Sequence, residues 1–193
     1  MSTVEPKVAL FAKFPTAGEV KTRLIPAIGP GGAAALHRRL VERTVDVVAQ
    51  SGLPLSLWCT GASPAEFAAW LGPVELRPQG EGDLGKRLAR VPAPCILLGA
   101  DLPDLAARHL RAAADALDRV PVAIGPAEDG GYYALALREP MEFLFVDMPW
   151  GGPRVLEETR RRLNSRGIAC EMLATLADCD RPEDLARWPG LHE

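Results

Sequence analysis

The sequence predicts an α/β fold, a mostly parallel mixed sheet with helices on both faces. Three observations lead there. Short apolar β-type runs alternate with stretches of helical periodicity. The run Cys95-Ile96-Leu97-Leu98 carries no polar side chain, as expected of a central strand covered on both faces. No linker, repeat or low-complexity segment interrupts the alternation, and 193 residues suit one domain spanning 1–193.

Each element has its own signal. Lys7–Ala12 reads as a first strand, continuous and apolar between loop residues. Ala33–Gln50 reads as a helix, with Leu36, Leu40, Val41, Val45 and Val48 close to one face. Leu55–Thr60 is a second strand. Ser63-Pro64-Ala65-Glu66 then forms a capping box with proline in the first turn, opening a helix to Leu71. Val74–Arg77 is a third strand, Gly85–Val91 a short helix, and Pro94–Gly99 a fourth strand. Asp104–Leu117 is helical, with Asp104 a candidate N-cap. Pro121–Gly125 and Tyr132–Leu137 are strands on either side of an Asp-Gly-Gly turn, itself a hairpin signal. Pro153–Arg166 is a helix with Val155, Leu156, Thr159 and Leu163 inward. Ile168–Leu173 is the last strand and Pro182–Trp188 a short helix, which Asp180 is placed to cap.

Composition excludes several function classes. Net charge is −3, so a general nucleic-acid-binding surface is not expected. The apolar runs fall far below the ~20 residues of a membrane span, and the N-terminus lacks a signal-peptide pattern. Cys59, Cys95, Cys170 and Cys179 show no CxxC spacing and read as reduced thiols of a cytoplasmic protein. His37, His109 and His192 fall on polar helix faces or near the C-terminus, and no serine has a GxSxG context.

In open α/β sheets ligands bind beyond the carboxyl ends of the strands, so the loops after strands carry the candidates. The first such loop, 13–24, holds Lys13, Gly18, Lys21, Thr22 and Arg23. Three cations on a glycine-containing loop fit a polyphosphate, although no GxxxxGK[ST] is present. After the fourth strand, Asp101 lacks the capping explanation open to Asp104. After the fifth, Asp129 reaches the same sheet edge. Two carboxylates there suit a hard cation, Mg²⁺ or Mn²⁺, that would bridge a diphosphate held by the first loop.

The loop after the third strand, Gly80-Glu81-Gly82-Asp83-Leu84-Gly85, matches GxGxxG literally. A dinucleotide site stays a minority reading, because the following helix is short and Glu81 and Asp83 oppose a pyrophosphate. The alternative is a turn that contacts base or ribose through Gln79, Gly80, Gly85 and backbone groups, with Lys86 or Arg87 near phosphate. Tyr132 and Trp150 are candidates for an acceptor pocket, and Asp180 for a third metal ligand. Only 4 of 22 basic residues are lysine, and Lys13, Lys21 and Lys86 all fall in these loops; Lys7 lies outside.

Taken together, Lys13-Phe14-Pro15, Gly18-Glu19-Val20-Lys21-Thr22-Arg23-Leu24, Gln79-Gly80, Asp83-Leu84-Gly85-Lys86-Arg87, Gly99-Ala100-Asp101-Leu102-Pro103 and Gly125–Tyr133 resemble a bacterial transferase family. This is the radical-SAM/selenodomain-associated transferase 1 family, also labelled an arsenosugar-type glycosyltransferase family, and the likeness runs nearly end to end. Leu102 and Cys179-Asp180-Arg181 depart from its pattern. The family is similar to the GT-A nucleotide-diphospho-sugar transferases, including molybdenum-cofactor and 2-phospholactate guanylyltransferases. The resemblance implies a single-domain GT-A fold and a nucleotide-bound, metal-assisted transfer, with Asp101 the main metal ligand, Asp129 the second and Asp180 completing the shell. Glycosyl transfer from an NDP-sugar to a small acceptor is the leading reading. Nucleotidyl transfer from an NTP to a phosphorylated small molecule is the alternative, and a nucleotide sensor without chemistry the third. Base, sugar, acceptor and oligomeric state stay open.

Overall fold

The computed structural model describes residues 5–191. Its strands form one seven-stranded sheet in the order β3-β2-β1-β4-β6-β5-β7. These are β1 (Lys7–Lys13), β2 (Leu55–Thr60), β3 (Glu75–Pro78), β4 (Cys95–Leu98), β5 (Val122–Pro126), β6 (Tyr132–Leu137) and β7 (Cys170–Met172). β1 pairs in parallel with β2 and β4, β2 with β3, and β5 with β7. β6 alone runs against its neighbours β4 and β5. The Asp-Gly-Gly segment is therefore a hairpin turn, and it also reaches the edge where β4 ends. Ala134 pairs with Leu98 on one side and Gly125 on the other, so the two strand ends are level. His192 lies outside the described residues.

Alternation along the strands builds a core on each face. Val8, Leu10, Leu57, Ile96 and Leu98 pack with α1 (Ile25–Ser51), α2 (Pro64–Leu71) and α4 (Ala107–Ala116). Ala9, Trp58, Leu97, Ile124 and Leu135 pack with α3 (Leu84–Leu88), α5 (Val155–Asn164) and residues 141–145. A smaller cluster joins Leu24, Leu36 and Leu40 to Cys179 and Leu185 of the C-terminal segment.

Local signals explain most boundaries. α2 has the expected box: Glu66 N donates to Ser63 Oγ, and Glu66 Oε2 accepts from Ser63 N. α1 begins earlier than expected and is broken at Gly29 (φ 70°, ψ 167°), after which Pro30 opens the long segment. The Gly31-Gly32 pair is helical because it follows that proline. Three expectations are corrected. Asp104 does not cap α4; the helix starts at Ala107, His109 Nδ1 accepts from Ala106 N, and Asp104 accepts from Trp188 Nε1. Asp180 does not cap the C-terminal 3-10 turn Pro182–Arg187, since Asp184 accepts from the backbone N–H groups of Asp180 and Arg181 instead. His37 and His109 are buried rather than placed on polar faces.

The hairpin turn is held by a close approach. A Cβ at Gly130 (φ +90°) would lie 2.1 Å from Pro153 O, and Leu156 N donates to Gly130 O. Gly18 (φ +84°) faces open space. Gly18→Ala is expected to cost only its left-handed backbone, ~1–2 kcal/mol. Gly130→Ala adds a backbone collision, so its denaturant midpoint falls by at least twice as much.

Candidate active site

The site is built at the carboxyl edge around one ammonium. Lys21 follows buried Val20 and takes a left-handed backbone (φ 46°, ψ 41°) just before the 3-10 turn Thr22–Leu24. Its side chain is 4% exposed. Lys21 Nζ lies 2.5 Å from Asp101 Oδ1, and it donates to Asp180 Oδ1 at 2.7 Å and Cys179 O at 2.8 Å. Three N–H donors thus meet three acceptors, the full capacity of an ammonium. Cys179 N also donates to Asp101 O, which docks the C-terminal segment onto the β4 loop. Burial by itself would lower the Lys21 pKa, but Asp101 and then Asp180 outweigh it and hold the ammonium above its ordinary value. Burial likewise pushes the Asp101 carboxyl up, and the Lys21 charge more than reverses this.

The other cations of the first loop are also paired. Lys13 Nζ contacts Glu19 Oε2 at 3.0 Å and donates to Glu19 O. Arg23 lies 3.7 Å from Asp180 Oδ2 and is well exposed. Thr22 is exposed in the 3-10 turn. The loop is therefore less cationic than its composition suggests, because Glu19, Asp101 and Asp180 come with it.

Two cavities meet along Asp129, Gly151 and Gly152. One, of about 310 Å³, is lined by Asp101, Asp129, Tyr132, Trp150 and His37. The other, of about 330 Å³, is lined by Arg23, Asp129, Asp178, Asp180, Arg181 and Arg187, among others. Asp129 is positioned by its own turn, with Oδ1 accepting from Gly131 N at 2.8 Å. Trp150 stacks on Phe145 and meets Tyr132 edge-on. Asp178 was not a candidate from sequence; burial raises its carboxyl pKa, and Asp129, Asp180 and Asp184 add to the shift.

The glycine-rich loop has mainly structural work. Gln79 is buried, and its amide donates to Trp58 O and accepts from Arg87. Gly80 (φ +74°) lies against the Arg90 guanidinium, which donates to Gln79 O. Asp83 caps α3 by accepting from Lys86 N. The Lys86 side chain is exposed and lines neither of these cavities. A Cβ at Gly85 would lie 2.4 Å from Phe145 O, so this glycine lets α3 approach the segment that carries Trp150. Of the predicted residues, the structure gathers Lys21, Asp101, Asp129, Asp180, Tyr132 and Trp150 at one edge. Gln79 and Lys86 line neither of the two cavities.

His37 is the residue that sequence reasoning missed. It lines the 310 Å³ cavity, and its Nε2 lies 2.9 Å from Lys13 O. Its one sequence signal is position, one residue after Leu36 on the buried side of α1. Three of the cysteines are held as thiols: burial raises the Cys59 pKa, and pushes Cys95 to about 12 and Cys179 to about 11.

A divalent ion would find hard oxygen donors here but no closed cage. No cluster of three or more His, Cys, Asp or Glu side chains suited to a metal occurs among the described residues. Two carboxylates that share a cavity fit an ion arriving with phosphate, since Mg²⁺ commonly takes one or two carboxylates plus phosphates and water. Asp180 is already engaged by Lys21 and Arg23.

The DUF2064 profile, described as an uncharacterized protein conserved in bacteria, matches residues 40–152, more than half the chain. The chain belongs to the DUF2064 family. The matched stretch includes Asp101, Asp129 and Trp150, while Lys21 and Asp180 lie outside it. Among solved structures, this DUF2064 chain is similar to a provisionally named nucleotide-diphospho-sugar transferase from Desulfovibrio desulfuricans G20. The two share 29% identity with a TM-score of 0.87, over 93% of this chain and 84% of the other. The Rv0371c protein of Mycobacterium tuberculosis H37Rv, solved with manganese, shares the fold at 20% identity and TM-score 0.55, over 95% and 97% of the two chains. A Methanothermobacter nucleotidyl transferase shares it at 17% identity and TM-score 0.58, over 95% of each chain. No curated protein matches the sequence. The fold is thus that of nucleotide-diphospho-sugar transferases and nucleotidyltransferases, and no described helix is long and apolar enough to cross a membrane.

Lys21→Met leaves two carboxylates without their buried partner. Such losses cost ~3–5 kcal/mol when fully buried. Asp101 and Asp180 keep 44% and 31% exposure, so about 2–3 kcal/mol is expected in urea unfolding at pH 7. Asp101 has a depressed folded pKa, so its contribution is present above its ordinary 3.8 and lost as pH falls through the folded value. The gap between Lys21→Met and the parent should therefore narrow as pH falls below 3.8. A planar guanidinium cannot reproduce the three-way donation. Lys21→Arg should lose more than ~1 kcal/mol, against less than ~0.5 for Lys7→Arg at the exposed Glu75 pair.

Proposed function

We propose that the chain is a divalent-metal-assisted nucleotide-diphospho-sugar transferase that moves a sugar from an NDP-sugar to a small acceptor. The observation that carries this is the pairing of Asp101 and Asp129 on one cavity at the carboxyl edge, beside a buried lysine. The sequence motifs support placing it in the radical-SAM/selenodomain-associated transferase 1 branch of this group. Mg²⁺ or Mn²⁺, when bound, supplies Lewis-acid stabilisation of charge on the diphosphate. Asp101 and Asp129 would hold the ion; the Rv0371c protein, of related fold, was solved with manganese.

The chain's own residues do the positioning. Lys21 keeps Asp101 ionised and fixes its direction. Gly18, Thr22 and Arg23 give the first loop backbone N–H groups and one exposed guanidinium for the diphosphate. Lys13 joins them if Glu19 turns away. Tyr132 and Trp150 form one wall of the acceptor space. We place the protein in the cytoplasm, in keeping with its four free cysteines.

Nucleotidyl transfer to a phosphorylated partner is the second reading, favoured by Arg23, Arg181 and Arg187 on the neighbouring cavity. Product analysis separates the two. The protein is incubated with Mg²⁺ or Mn²⁺ and a panel of NTPs and NDP-sugars. Slow NDP release from a sugar nucleotide is expected; pyrophosphate release from an NTP selects the second reading. Asp101→Asn should reduce metal-dependent nucleotide affinity at least ~100-fold, the loss of a charged ligand being worth several kcal/mol. Unchanged affinity removes Asp101 from the site.

A further inference from the structure

The 310 Å³ cavity is small for a ligand site, near the lower end of the ~300–1,000 Å³ range. Its walls are apolar: Phe11, Leu84, Leu88, Leu97, Tyr132 and Trp150. No lysine or arginine lines it, and its charged groups are Asp101 and Asp129. A phosphate placed among these walls would face mainly hydrocarbon, with no lysine or arginine in the lining to meet it.

Apart from the two carboxylates, the polar side chains of this lining are two tyrosines and His37. Tyr133 OH donates to Ala174 O, and the Tyr132 hydroxyl is sealed in the interior. His37 differs. A carbonyl oxygen can only accept, so the 2.9 Å contact with Lys13 O fixes the proton on Nε2. Burial lowers the ring's pKa and outweighs the hydrogen bond to Lys13 O and the pull of Asp101 and Asp180, with Lys21 adding to the lowering, so the imidazole is neutral. Nδ1 then keeps its lone pair. It has no protein partner, yet the buried unpartnered polar atoms among the described residues are the Tyr132 and Thr159 hydroxyls only. Nδ1 is therefore not sealed in the interior, and the ring lines this cavity. Beside the two carboxylates assigned to the ion, Nδ1 is a neutral acceptor in an otherwise apolar chamber, complementary to a ligand that donates one hydrogen bond from an apolar body.

We propose that this cavity is the acceptor site and takes an uncharged molecule with a hydroxyl on an apolar body, the hydroxyl donating to His37 Nδ1. The assignment to the acceptor rests on the transferase reading above; the ligand class rests on the walls and the imidazole alone.

The test uses ¹⁵N-labelled full-length protein and three probes: benzyl alcohol, toluene and glycerol 3-phosphate. Trp150→Phe assigns the Trp150 indole signal, and long-range ¹H–¹⁵N correlation reads the His37 tautomer. Benzyl alcohol should shift both the Trp150 indole and the His37 Nδ1 resonances, toluene only the indole, and glycerol 3-phosphate neither. His37→Leu should weaken benzyl alcohol binding about fivefold, as for one neutral hydrogen bond. His37→Gln, which keeps a donor for Lys13 O and an acceptor, should restore it. Should His37→Leu fail to fold, the parent Nδ1 shift decides. An Nδ1-protonated tautomer, a silent benzyl alcohol titration, or a stronger response to glycerol 3-phosphate overturns the proposal. Titration of the same samples with UDP and GDP plus Mn²⁺ separates the two claims. Benzyl alcohol docking without any nucleotide binding would sink the transferase reading and with it the acceptor role, while leaving the ligand class in place.

Discussion

A buried ammonium that must find three acceptors governs the candidate site. Lys21 is almost wholly out of water, and an unpaired charge there would be prohibitively costly. Asp101, Asp180 and the Cys179 carbonyl answer it, and they come from the β4 loop and from a segment near the other end of the chain. Meeting that demand docks the first loop, the sheet edge and the C-terminal segment together. The surrounding cluster of Leu24, Leu36, Leu40, Cys179 and Leu185 makes the same connection in hydrocarbon. The left-handed backbone at Lys21, a strain of ~1–3 kcal/mol for a side-chain-bearing residue, is held in place by these contacts.

The same constraint shapes the chemistry. Asp101 stays ionised and oriented before any ligand arrives, which is the preorganisation that electrostatic catalysis requires. Asp180 is spent mainly on the lysine, leaving Asp129 as the second carboxylate that opens to the cavities. On either side of Asp129 the surroundings differ sharply. One cavity is hydrocarbon with a neutral imidazole, and the other is lined by arginines and acids. In the proposed transfer, that contrast would give two chemically distinct partners separate places on either side of Asp129.

Much of this was legible from sequence, for identifiable reasons. β2, β6 and α2 fall on their expected residues because burial, alternation and a capping box act locally. Asp101 and Asp129 were recoverable because strand ends in an α/β sheet share an edge, and the level pairing of Leu98 and Gly125 across Ala134 bears this out. The pairing of the loop's cations was not legible, since Lys21 and Asp180 are 159 residues apart and nothing local links them. Asp180 looked like a helix cap because its spacing fitted one, and Asp184 serves those backbone groups instead. His37 was hidden by its polar neighbours Arg38 and Arg39. Gln79 reads as a base-contacting residue because it sits beside glycines; in the fold its amide donates to the Trp58 carbonyl of β2 and accepts from the Arg87 guanidinium of α3, partners that no local pattern announces.

The central claim is that the lysine-braced carboxylate edge receives a metal-borne diphosphate. Anomalous diffraction from crystals grown with Mn²⁺ and a nucleoside diphosphate tests it most directly. The account predicts a manganese peak within bonding distance of Asp101 and Asp129, the diphosphate over the loop containing Gly18 and Arg23, and Lys21 still joined to Asp101 and Asp180. A manganese peak elsewhere on the molecule, or a diphosphate bound away from this edge, would contradict it.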